Sequence, residues 1–160
     1  MRSQSADGDP AWREARASIH FDGSVSIAFA LGGLRNGPET YYSAWEFDSA
    51  AVEGAVADFM GLVRIVGANI GSVDYEIRVG IERNGPERME MKTVDQQGFP
   101  FTGVSTPMHR FTPVEATVEV GTDDGRFLHQ VRVLAQDCVN QGGITNLRTL
   151  ATCTCEECQQ

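Results

Sequence analysis

Residues 48–71 constrain this chain most, because they form its longest run with a helical period. Val52, Val56, Phe59, Val63, Val66 and Ile70 recur at steps of four and three, which places them along one side of a helix. Asp48 is suited to cap the start, since a carboxylate accepts bonds from the first free amides and complements the positive end of the helix dipole. Gly67 or Gly71 is suited to end it. A helix with one wide apolar face must bury that face. The flanking segments alternate with period two, so the expected partner is a sheet.

Ile19, Phe21, Val25, Ile27, Phe29 and Leu31 alternate with Ser18, His20, Ser24, Ser26 and Ala28. Asp22-Gly23 between them predicts two antiparallel strands joined by a type I′ turn, whose central residues need positive φ. Residues 40–47 read as a third strand, carrying Tyr41, Ser43, Trp45 and Phe47 on one side. After the helix, Tyr75, Ile77, Val79 and Ile81 alternate with Asp74, Glu76, Arg78 and Glu82, the pattern of a half-buried strand. Residues 88–94 predict a short strand and 95–112 an irregular stretch. Val114, Ala116, Val118 and Val120 predict another strand, and Asp123 or Asp124 caps a second helix that runs to Gly142-Gly143. Its apolar stripe is Phe127, Val131, Leu134 and Cys138, widened by Leu128, Ala135 and Val139. Residues 144–150 read as a last short strand. The expected fold class is α+β, a mostly antiparallel sheet of about six strands with two helices packed on one face.

Residues 1–11 are polar and aperiodic, the pattern of a disordered lead, so the expected single domain is 12–150 with a tail over 151–160. Arg35-Asn36-Gly37-Pro38-Glu39 recurs letter for letter as Arg83-Asn84-Gly85-Pro86-Glu87. Asn-Gly-Pro is favourable turn chemistry and can arise twice independently. The alternative is a ββ(β)α pseudo-repeat, since a strand followed by a helix closes each half.

The 13 lysines and arginines against 22 aspartates and glutamates give a formal charge of −9. An acidic surface repels phosphates, which argues against direct nucleic-acid binding by this segment. No run is long and apolar enough to span a bilayer, and the first ten residues do not form a signal sequence, so the expected location is cytoplasmic.

Cys153, Cys155 and Cys158 form the most unusual local pattern, CxCxxC. Three thiols this close are able to converge on zinc or an iron–sulfur cluster, since thiolates are ligands that both prefer. A fourth ligand is not evident, and the opposing reading is a frayed, redox-sensitive tail. Cys138 lies on a helical apolar stripe and reads as a small buried hydrophobe. Within the irregular stretch, Asp95, Gln96, Gln97, His109 and Arg110 place polar groups beside aromatic ones, a candidate loop for a ligand or a protein partner. The competing reading is that these side chains only shape the turn. His20, His109 and His129 have no companion motif, and no phosphate-cradling loop, nucleophile elbow or two-histidine zinc helix occurs.

Four elements resemble one family: Ile19-His20-Phe21-Asp22-Gly23-Ser24-Val25, Thr93-Val94-Asp95-Gln96-Gln97-Gly98, Ser105-Thr106-Pro107 with Arg110-Phe111, and Val139-Asn140-Gln141-Gly142-Gly143-Ile144. They are similar to the C-terminal region of actinobacterial proteins that begin with a Schlafen AlbA-type DNA-binding or ATP-binding domain. That domain itself has no counterpart in this chain, and the cysteine-bearing tail is not a feature of the family. The resemblance implies a bacterial accessory module that senses, oligomerises or tethers, and the expected partner is another protein or a second copy of the chain. A thiol-based sensor and a small-molecule-binding domain or enzyme using the 95–112 loop are the alternatives.

Overall fold

The computed structural model describes residues 15–32, 45–71, 74–83, 85–93 and 105–150. Within them the elements are β1 (Ala15–Ile19), β2 (Val25–Phe29), β3 (Glu46–Asp48), α1 (Ser49–Ile70), β4 (Asp74–Val79), β5 (Glu90–Lys92), β6 (Val114–Glu119) and α2 (Asp124–Asn140). The α+β class is as expected. The strands, however, form three separate pairs: β1 with β2 and β4 with β6, both antiparallel, and β3 with β5, parallel. Among the described residues the expected single sheet of about six strands is thus divided into three two-stranded sheets, two of them antiparallel. α1 packs against α2 and is also in contact with β2, β3 and β4, while α2 contacts β6.

α1 keeps its expected bounds. Asp48 accepts a bond from the Ala50 amide at 3.0 Å, and Gly71 closes the helix in the left-handed region with φ 72°. Its buried line is Val52, Val56, Met60, Val63 and Val66, each contributing about 1.5–3 kcal/mol on leaving water. Phe59 is only half-buried and Ile70 is exposed, so the stripe is rotated toward Met60 and Gly67. On α2 the expected stripe is buried apart from Leu128, and Asp123 is the cap, accepting from the Arg126 amide.

The first turn differs from expectation. His20 and Ser24 pair around the three residues Phe21, Asp22 and Gly23, with the Gly23 amide donating to the His20 carbonyl. Only Gly23 has positive φ, 84°, so this is a type I turn closed by a left-handed glycine, not a type I′ turn. The Asp22 carboxylate fixes it by accepting from the Ser24 amide and hydroxyl. Ile19, at the end of β1, and Phe21, in the loop, are both exposed. The tip docks on the body through the Tyr75 hydroxyl, which donates to the Gly23 carbonyl at 3.1 Å.

Residues 144–150 are irregular rather than a strand. After Gly142 and Gly143 the chain turns back, and its amides are taken up by a side chain of α1, Glu53. Of the predicted strand at 40–47, residues 40–44 lie outside the described residues and β3 covers its end. The first copy of the repeated pentapeptide also lies outside them. In the second copy Arg83 pairs with Glu87 at 3.6 Å.

Candidate functional site

The floor of the candidate site is the first half of α1. Val52, Ala55, Val56 and Phe59 form one side of a groove of about 470 Å³ whose other walls are β2 and residues 78–83. All five consecutive residues of β2 line it, as do all six from Arg78 to Arg83. In a strand, alternate residues point to opposite faces, so a surface touched by every residue is an edge rather than a face. β2 has β1 on one side and β4 has β6 on the other, and among the described residues neither has a second neighbour. Among the described residues the groove thus lies between the free edge of β2 and the end of β4 with the irregular residues 80–83 that follow it, on an apolar helical floor. Trp45, 40% exposed, stands at its rim with Leu31.

The polar groups of the groove are few. Arg78 reaches Glu115 at 3.7 Å and Arg83 reaches Glu87, while Glu82 is exposed. A lining of aliphatic and aromatic side chains with charged groups along one wall suits an apolar, extended ligand better than a small charged one.

A second polar cluster joins β3 to β5. Lys92 lies 2.6 Å from Glu90 and 3.6 Å from Glu46, and the Ser105 hydroxyl donates to Glu90 at 2.6 Å. The bonds from Lys92 and Ser105 hold the Glu90 carboxyl below its ordinary range. For Lys92, burial favours the neutral amine, but the two carboxylates outweigh it and its pKa is raised. These groups satisfy one another, which is the arrangement of a structural cross-link between parallel strands.

Of the residues singled out from sequence, His109 and Arg110 are exposed beside the bridge between Met89 and Met108, and neither lines the groove. Asp95, Gln96 and Gln97 lie outside the described residues, as do Cys153, Cys155 and Cys158. Cys138 is fully buried, and burial together with the charge of Asp137 pushes its thiol up to about 12. Among the described residues no group of three or more His, Cys, Asp or Glu side chains is placed to hold a metal ion.

Sequence reasoning missed both the groove and Glu53. A groove between strand edges depends on which strands pair, and alternation does not report that. Glu53 did carry a signal: it is an acid between Val52 and Val56 on the inward side of α1, and it is completely buried. No helix of the described residues is long and apolar enough to cross a membrane. Comparison of the chain with protein-family models, with curated proteins and with solved structures finds no match in any of the three.

Proposed function

We propose that this chain is a non-catalytic interaction domain that docks an extended, apolar segment of a protein partner in the groove between β2 and residues 78–83. The observation that carries this reading is that β2, which has no second neighbour among the described residues, faces residues 78–83 across Val52, Ala55, Val56 and Phe59. Open edges offer unpaired amides and carbonyls to an added strand, and the apolar floor takes its alternate side chains. The resemblance of the 19–25, 93–98, 105–111 and 139–144 elements to the region following a Schlafen AlbA-type domain supports an accessory role. The setting would be an intracellular bacterial protein linked to DNA-binding or defence functions. The net charge of −9 fits a protein ligand better than a nucleic acid.

A displayed library of random peptides about a dozen residues long, enough to span a strand of ordinary length, tests the proposal. Ala55→Trp, which places an indole in the groove, is the control. Selected peptides should alternate apolar and polar residues and lose at least about tenfold in affinity, about 1.4 kcal/mol, against the variant. Selection of no peptide whose binding depends on residue 55 would refute the reading.

A further inference from the structure

Glu53 is an ionisable side chain with no exposure at all, on the apolar side of a helix. Its partners come from one short segment. The Arg148 amide lies 3.0 Å from both carboxylate oxygens, the Thr149 amide 2.8 Å and the Leu150 amide 3.3 Å from Oε2, and the Thr149 hydroxyl donates to Oε2 at 2.7 Å. Three successive amides closing on one anion form a backbone nest, a geometry suited to a charged acceptor. Asp48, five residues earlier on the chain, faces the same segment through the Arg148 guanidinium at 3.7 Å. Elsewhere in 144–150, Arg132 donates to the Leu150 carbonyl at 3.1 Å and Gln136 to the Ile144 carbonyl at 3.4 Å, and Leu147 and Leu150 rest half-buried against the core. The chain before them is anchored independently, because Ile144 is buried in the core.

We infer that residues 145–150 form a releasable strap, latched onto α1 by the Glu53 carboxylate in the nest of Arg148, Thr149 and Leu150. The latch uses both oxygens of the carboxyl group. An amide at position 53 offers one oxygen in place of two and turns an N–H pair toward donors that have no acceptor left. Loss of one acceptor oxygen therefore opens the strap while the α1–α2 core, built from side chains of both helices, keeps its packing. The strap is a local unit of lower stability on a body of higher stability, and the bonds of the Glu53 side chain hold it in position. This inference is independent of ligand docking in the groove.

Residue-resolved amide exchange on the full chain tests it in three proteins: the native sequence, Glu53→Gln and Thr149→Val. The expected result is that the amides of 148–150 exchange at least about tenfold faster in Glu53→Gln. Amides in the middle of α1 and α2 should stay at native rates, and Thr149→Val, which loses only the hydroxyl bond, should fall between. Should Glu53→Gln fail to fold, Thr149→Val decides by the same comparison. Exchange of 148–150 that is unchanged by the substitutions, or that keeps step with the two helices in every protein, would overturn the proposal.

Discussion

Three glycines lie inside α1, and the structure predicts that replacing them with alanine has opposite consequences. A glycine within a helix costs about 0.8–1 kcal/mol relative to alanine, because more backbone freedom is lost on folding. Around Gly54 and Gly61 an added Cβ meets nothing within 4 Å. Gly54→Ala and Gly61→Ala should therefore each gain about 1 kcal/mol, which for a chain of this size raises the melting temperature by about 2–4 °C. At Gly67 the same methyl would lie 2.8 Å from Val120 Cγ2 and 3.0 Å from Tyr75 Cε2. Neither neighbour yields easily: Val120 is buried and β-branched, and the Tyr75 ring is tethered by its hydroxyl to the Gly23 carbonyl. Overpacking of this kind costs about 1–3 kcal/mol. Subtracting the helical gain leaves Gly67→Ala between neutral and about 2 kcal/mol less stable than the native chain. Urea titrations of the three variants measure this directly. A Gly67→Ala protein as stable as Gly61→Ala would refute the close approach of Val120 and Tyr75 to α1.

The Cys138 thiol, buried and pushed up to about 12, should resist iodoacetamide near pH 8 in the folded chain and react in denaturant, as peptide mass spectrometry can resolve; equal labelling in both conditions would contradict its burial. Two carboxyls should titrate with opposite effects on stability. Burial raises the Asp48 pKa above 3.8, against the bond from Ala50 and the charge of Arg148, so its folding contribution is greatest at low pH and is lost as pH rises through the folded pKa. Asp48→Asn, which retains a capping oxygen, should therefore gain on the native chain from about pH 3.5 to about pH 6.5, a span bracketing the ordinary carboxylate range. Glu90 is depressed by its bonds to Lys92 and Ser105, so its contribution is present above pH 4.5 and is lost as pH falls through the folded pKa. Glu90→Gln should lose ground over the same interval, and urea midpoints at the two pH values that moved in the same direction for both variants would contradict these environments.

Local chemistry determined much of the architecture. The α1 stripe with its Asp48 cap and Gly71 terminator, the β1–β2 hairpin, β4, β6 and α2 are each set by neighbours a few residues apart, so period and capping residues reveal them. Those signals are silent about pairing, which joins residues far apart in sequence. Nothing in β3 or β5 marks them as parallel partners, and their contact is decided by where α1 returns the chain and by Lys92 lying between Glu46 and Glu90. The turn at Asp22-Gly23 was half legible: Gly23 adopts positive φ, but Phe21 joins the loop because the Asp22 carboxylate closes on Ser24. Residues 144–150 illustrate the same limit. Their apolar content suggests a strand, yet a buried glutamate about a hundred positions away takes their amides and holds them irregular. The sequence by itself thus determined the two helices with their caps and the strands β1, β2, β4 and β6. Only the tertiary structure decided that, among the described residues, β2 faces residues 78–83 across a groove above α1 and that Glu53 takes the amides of 148–150, because both depend on contacts between segments that local preference does not encode.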